Sequence, residues 1–153
     1  MKERHINLFK QLETYRADVL DSLNGVSAEE AEVIPNNFKN NIRWNMGHIY
    51  LDQYLWIEAL TKEKTEVPDN FRDWFGYGTT PIHFSTETPS YIELKKLLKG
   101  QPTNLMQNFG HRLEEVYPPT EMGMRTIEQV LIRTIFHEGM HLQAINDIKK
   151  WLL

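Results

Sequence analysis

Two histidines lie four residues apart near the end of the sequence, in "FHEGMH" (residues 136–141). On an α-helix, His137 and His141 would share one face with their Cβ atoms about 5–6 Å apart, so both imidazoles could reach a single metal ion. Neutral imidazole is a ligand for zinc, nickel, copper or iron. The segment is apolar on nearly all sides, and two buried histidines without a metal would each need a hydrogen-bond partner. The spacing therefore predicts a metal site.

The same residues spell H-E-x-x-H, the motif of zinc proteases. One class of these proteases adds a third ligand after a glycine that lets the chain leave the helix. Here Ala144 stands at the glycine position and Asp147 at the position of the third ligand, so we expect the helix to continue and to carry Asp147 away. In the other class the third ligand is a glutamate from a later helix, which is not expected here because only 12 residues follow His141. The sequence argues against a protease.

A third metal ligand must then come from upstream, and His48 is the best candidate. It lies within "WNMGHIYLDQYLW", where Trp44 and two leucines share its face. Helical bundles build metal sites from side chains on facing helices. The alternative is a core histidine satisfied by hydrogen bonds. The other three histidines lie near the N-terminus, in an aromatic loop and beside charged residues, and are weaker candidates: His5, His83 and His111.

Three charged residues near these histidines are candidates for supporting roles. Asp52, one helical turn after His48, is predicted to orient that imidazole, with a plain surface aspartate as the alternative. Arg133, one turn before His137, is a candidate for binding an anionic substrate group, with a salt-bridged rim arginine as the alternative. Glu138 is a candidate general base, but it lies about 100° around the helix from His137, which also allows it to support a metal ligand from behind or to lie on the surface.

Four segments have apolar residues at helical spacing, at about residues 2–24, 41–60, 89–116 and 126–153. The third contains "KGQP" (residues 99–102), which is predicted to kink or split it. No segment has the pattern of a strand. The sequence therefore predicts an all-α four-helix bundle formed by one domain, residues 1–153.

A long irregular stretch, residues 61–88, separates the second and third helices. Such a loop in a compact domain is usually functional or disordered, and its many aromatic residues indicate that it packs onto the bundle. Trp74 and Tyr77 are flanked by glycines and are expected to approach the histidines. Together with Trp44 they are predicted to line a pocket, although most aromatic residues of this region are expected to be ordinary core.

Composition narrows the classes of function. The net charge is −4, and the scattered lysines and arginines form no basic stripe, which argues against nucleic-acid binding. There is no cysteine, so disulfides, catalytic thiolates and sulfur ligands from the chain are excluded. The N-terminus is charged and amphipathic, unlike a signal peptide, and no run approaches the roughly 18 apolar residues of a membrane span. We expect a cytoplasmic protein.

The combination of "W-x-x-x-H" at residues 44–48, an aromatic crossover loop and a terminal "H-E-x-x-H" resembles the DinB/YfiT-like superfamily, named for DNA-damage induction in bacteria. The resemblance implies an up-down-down-up four-helix bundle, often dimeric, in which three histidines hold a divalent metal. Carried over, these are His48, His137 and His141. Many members follow the last ligand with Arg-Gly-Gln, whereas residues 142–144 here are "LQA".

The family includes metal-dependent hydrolases and transferases that use low-molecular-weight thiols such as bacillithiol or mycothiol. Three neutral histidines leave an open coordination position, as in catalytic sites. From the resemblance we expect a divalent metal, zinc or nickel, and transfer of an external thiol to a small electrophile, by a homodimer. The alternatives are a hydrolase that activates water and a non-catalytic metal-binding or stress-response bundle.

Overall fold

The computed structural model describes residues 1–152, which form helices and connecting loops without a β-strand. In chain order the elements are α1 (Glu3–Ser22), α2 (Ala28–Ala31), α3 (Ile42–Thr61), α4 (Phe71–Phe75), a single 3₁₀ turn (Pro81–His83), α5 (Tyr91–Phe109) and α6 (Ile127–Lys149). The predicted all-α fold is confirmed.

The four long helices surround one core. Helix α3 packs against α5 and α6, and α1 packs against the same two helices, so α1 and α3 occupy opposite corners of the bundle. Helix α3 is buried on nearly every side, as its continuous apolar and aromatic sequence predicts. None of the helices in residues 1–152 has the length and apolar character needed to cross a membrane.

Side-chain caps lie at the start of three of the four long helices, α3, α5 and α6. The Asn41 side chain accepts a hydrogen bond from the backbone N–H of Trp44 at the start of α3, and Thr126 caps α6 in the same way. Ser90 and Glu93 form a reciprocal capping box at the start of α5. Because Ser90 is the N-cap, Pro89 precedes the helix and does not occupy its first turn as predicted. At the other end, α5 stops at Phe109, earlier than the predicted residue 116.

Helix α5 is continuous through Pro102, so the predicted split does not occur. Proline has no N–H, which leaves the carbonyl of Leu98, four residues earlier, without its helical hydrogen bond. Arg16 of α1 supplies the missing donor, because its Nη1 lies 2.6 Å from the Leu98 oxygen. A buried side chain from a neighbouring helix thus replaces the bond that proline removes.

The crossover between α3 and α5 packs onto the bundle, as its aromatic content predicted. Phe71, Trp74 and Phe75 of α4 are 4%, 6% and 0% exposed, and they contact one another through their rings. Helix α4 packs directly against α3. This contact brings the backbone at the end of α4 next to the middle of α3, where His48 lies.

Candidate metal centre

Three imidazoles from two neighbouring helices meet at one point. Nε2 of His137 lies 3.2 Å from Nε2 of His48 and 3.2 Å from Nε2 of His141. His48 and His137 are each 7% exposed, and His141 is half-buried. The upstream histidine of α3 and the i, i+4 pair of α6 therefore form one cluster that could hold a metal ion.

Two of the rings donate their Nδ1 proton to an oxygen of the protein. Nδ1 of His48 lies 2.6 Å from the backbone oxygen of Phe75, and Nδ1 of His141 lies 2.8 Å from Oδ1 of Asn45. The amide of Asn45 is held in this orientation because its Nδ2 donates to the Asn41 carbonyl at 2.8 Å. Both oxygens only accept hydrogen bonds, so the protons lie on Nδ1 and Nε2 carries a lone pair.

Asp52 faces the third ring in a close ion-pair contact that lacks the geometry of a regular hydrogen bond. Its Oδ2 lies 2.9 Å from Nδ1 of His137. Burial alone would raise the pKa of the Asp52 carboxyl, but the contact with His137, together with His48 and Arg133, outweighs burial and lowers the pKa. The sequence prediction paired Asp52 with His48. The structure pairs it with His137 because this face of α3 lies against α6.

The arrangement fits a divalent cation. With all three protons on Nδ1, three Nε2 lone pairs face one another, and a cation removes their mutual repulsion. Two nitrogens bound to one zinc ion at 2.0–2.1 Å in tetrahedral geometry would lie about 3.3 Å apart, close to the observed 3.2 Å. Burial lowers the pKa of His48, and burial with the neighbouring imidazoles lowers that of His141 to about 3. Both rings are thus neutral, as metal ligation requires.

The three histidines open onto a cavity of about 830 Å³. Trp44 forms a wall of this cavity and stacks on His48, with ring centroids 4.7 Å apart and planes inclined by 11°. Its indole N–H donates to Oγ1 of Thr79 at 2.9 Å, which fixes the stacked position. Tyr77 also lines the cavity, with its side chain 99% exposed. Trp74, predicted to line the pocket, instead packs in the core against Phe71 and Phe75.

Glu138, the glutamate of H-E-x-x-H, points away from this cavity. It is 3% exposed and its Oε1 lies 2.5 Å from Nε of Arg16 on α1. Gln53 and Thr134 complete the same buried network through hydrogen bonds of 3.1 Å each. The ion pair between Glu138 and Arg16 thus connects α6 to α1. The position of Glu138 does not support its candidate role as a general base, nor does it support a protease.

The remaining histidines lie elsewhere. His83 is exposed in the 3₁₀ turn and its Nδ1 contacts the backbone of Thr80. His111 is exposed beyond the end of α5. His5 is buried near Glu128, with 3.7 Å between Nε2 and Oε2, but Arg4 pairs with that carboxylate. None of them joins the three converging imidazoles.

Sequence reasoning missed two of the acceptors that orient the imidazoles. Asn45 carried a usable signal, since it is an uncharged polar residue three positions before His48 on the same face of an apolar helix. Phe75 carried none, because it contributes only its backbone carbonyl, which every residue possesses. The position of that carbonyl depends on how α4 packs against α3.

Gly47 controls this packing. A Cβ atom at Gly47 would lie 2.2 Å from the nearest ring atom of Phe75. We expect Gly47→Ala to displace Phe75 together with the carbonyl that orients His48, costing about 1–3 kcal/mol of stability and about 10-fold in metal affinity. Urea unfolding and competition with a chelating dye measure the two effects. Gly139→Ala is the control because its Cβ would meet no atom within 4 Å. Unchanged metal affinity in Gly47→Ala would contradict this role.

The metal-free protein is expected to lose stability as the pH falls. In the folded state, burial lowers the pKa of His48 and of His141, the latter to about 3, whereas unfolded histidine titrates near 6.5. At a pH between the folded-state and unfolded-state pKa values, the unfolded chain binds more protons than the folded protein. The free energy of unfolding therefore decreases as the pH falls from about 6.5 toward 3. We expect a lower urea midpoint at about pH 5 than at about pH 7.5 in chelator-treated protein. His141→Gln should reduce the difference, and an equal difference in both proteins would contradict the assignment.

Comparison with known proteins places the chain in a family. No curated protein matches it. The family model of the DinB superfamily matches residues 11–145, which include α3, α6 and all three converging histidines. The chain belongs to the DinB superfamily.

Proposed function

We propose that this protein is a metal-dependent enzyme that transfers a low-molecular-weight thiol to a small electrophile. The observation that carries the proposal is the convergence of three Nε2 lone pairs, each oriented by a protein oxygen, at the wall of an 830 Å³ cavity. Within residues 1–152 no fourth histidine or carboxylate joins this group. Three protein ligands and one open position are typical of catalytic metal sites, whereas structural sites are closed.

We assign the three imidazoles as the ligands. A divalent cation there would lower the pKa of a coordinating thiol and so supply thiolate at neutral pH. Asp52, Asn45 and the Phe75 carbonyl keep the Nδ1 protons in place, so no ligand needs to reorganise when substrate enters. The flat face of Trp44 limits the side from which the substrate can approach. The chain contains no cysteine, so the reacting thiol must come from outside.

The surroundings favour thiol transfer over hydrolysis. A hydrolase of the H-E-x-x-H type uses the glutamate of the motif as a general base beside the attacking water. In the described part of the chain, the carboxylates that line the cavity are Asp52 and Glu121. Asp52 is engaged with His137, and Glu121 is an exposed residue of the connector before α6. Glu138, the base that the motif suggests, is paired with Arg16. A thiol that binds the metal would release its proton to solvent, because the metal lowers the pKa of the thiol, and so would need no such base.

A thiol titration tests the proposal. Protein loaded with cobalt or nickel, with its metal content verified, is titrated with a small neutral thiol and its absorption spectrum is followed. We expect a saturable, thiol-dependent spectral change that is absent in His137→Ala. A fully loaded protein whose spectrum does not respond to thiol would overturn thiol transfer. A response to water exchange alone, with turnover of model esters, would favour the hydrolase instead.

Zinc or nickel is our proposal for the native ion, since imidazole nitrogen suits both. Elemental analysis of untagged protein, purified without chelator, identifies the ion. A cytoplasmic location and a homodimeric state belong to the same proposal. Sedimentation at two protein concentrations tests the oligomeric state.

A further inference from the structure

We infer that the cavity contains an anion-binding subsite at Arg133 and Lys39, so that one of the reacting molecules carries a carboxylate. The inference rests on the proposed function and specifies its substrate class. Arg133 lies on α6 four residues before His137, about 6 Å along the helix axis, and lines the same cavity as the three imidazoles. A molecule that spans this distance would contact both.

The guanidinium of Arg133 is held in place without being satisfied. It lies over the ring of Trp56, with 4.9 Å between the guanidinium carbon and the ring centroid. Its closest carboxylate is Asp52, at 3.5 Å between Nη1 and Oδ2, and that same oxygen is only 2.9 Å from Nδ1 of His137. Nε and Nη1 of Arg133 are buried and have no hydrogen-bond partner. The Arg133 side chain is 23% exposed, and Nη2 is the guanidinium nitrogen that is not among the buried ones. An anion in the cavity would therefore accept from Nη2, in a charge-assisted hydrogen bond.

A second cation lies on the same cavity. Lys39, in the loop before α3, is exposed and lines the cavity. The carboxylates that line the cavity are Asp52, which contacts His137 and Arg133, and Glu121 on the connector before α6. With a divalent cation bound, the positive charges exceed the negative ones. The electrostatics therefore favour an anionic ligand.

The apolar residues that line the cavity indicate the chemical character of the rest of the ligand. Trp44 stands beside the imidazoles and Trp56 beneath Arg133, with Met140 and Ile148 on the α6 side. A ligand that joins the two polar ends must cross this surface, which suits an alkyl or aromatic chain. The substrate class is thus a small amphipathic carboxylate. The carboxylate belongs either to the thiol itself or to the electrophile that accepts it.

The test uses two thiols of equal length on nickel-loaded protein: 6-mercaptohexanoate and the neutral 6-mercaptohexanol. We expect the carboxylate to bind about 10-fold or more tightly, the range of one charge-assisted hydrogen-bonded contact. Arg133→Gln should reduce this preference to about 2-fold while leaving the alcohol's affinity and the metal content unchanged. Lys39→Gln should have a smaller effect in the same direction. Arg125→Gln, which removes an exposed arginine outside the cavity, is the control.

A third titration separates the two sources of the carboxylate. Hexanoate is added to protein already saturated with 6-mercaptohexanol. Binding of hexanoate that depends on Arg133 assigns the carboxylate to the electrophile, whereas a preference confined to 6-mercaptohexanoate assigns it to the thiol. Equal binding of both thiols and no binding of hexanoate would overturn the subsite. That result is distinct from failure of the proposed function, in which neither thiol changes the nickel spectrum.

Discussion

Replacing His48 by alanine is expected to reduce the affinity for zinc or nickel by more than about 100-fold while the protein stays helical. Outer partners of metal ligands typically contribute 10–100-fold, and the loss of one of three ligands should exceed that. The fold should persist because the core of α3 consists of apolar side chains packed on α5 and α6. His137→Ala and His141→Ala should behave alike. Elemental analysis after dialysis and far-ultraviolet circular dichroism provide the two measurements.

His83→Ala is the matched control for this experiment. His83 is the exposed histidine of the 3₁₀ turn, and its Nδ1 contacts only the local backbone of Thr80. Its removal should leave metal content unchanged. Full metal occupancy in His48→Ala, or its loss in His83→Ala, would show that the upstream ligand has been assigned to the wrong residue.

Arg16→Met is expected to destabilise the protein by about 3–5 kcal/mol, because it leaves the buried charge of Glu138 without a partner. Arg16 is 2% exposed and donates to Glu138, to Gln53 and to the Leu98 carbonyl that Pro102 leaves free. This one substitution therefore removes a hydrogen-bond donor from polar groups on three other helices. Urea unfolding measures the loss of unfolding free energy, and we expect the dependence of that free energy on urea concentration to stay unchanged.

Two further variants separate charge from packing in this network. Arg16→Met combined with Glu138→Met removes both charges and should recover much of the lost stability. Arg72→Met removes a half-exposed partner of Glu58 and should cost no more than about 1 kcal/mol. If Arg16→Met and Arg72→Met proved equally mild, the buried network would have no special role. Retention of metal in folded Glu138→Gln would separate this glutamate from the metal centre.

The features predicted correctly are those that depend on neighbours along the chain. Helical periodicity located α1, α3, α5 and α6, and the i, i+4 spacing placed His137 and His141 on one face. His48 could be chosen because the apolar residues around it indicate a buried helix that must face another. The split expected at Pro102 does not occur, and the sequence of α5 contains no sign that Arg16, 86 positions earlier, donates to the Leu98 carbonyl.

The orientation of side chains at the site required the tertiary structure. Asp52 contacts His137 and not His48, and Glu138 pairs with Arg16 although its motif suggests catalysis. The carbonyl of Phe75 reaches His48 only because α4 packs against Gly47. Such contacts depend on the rotation and relative height of packed helices, which local periodicity does not specify.

The amino-acid sequence by itself determined the helices, their buried faces and the imidazoles available to a metal. It did so because each of these properties follows from backbone geometry and burial within a single segment. Only the tertiary structure decided that three Nε2 atoms meet, which oxygen holds each ring and that the cavity beside them presents Arg133. The distances that define a site join atoms from separate segments, and only helix packing determines those distances.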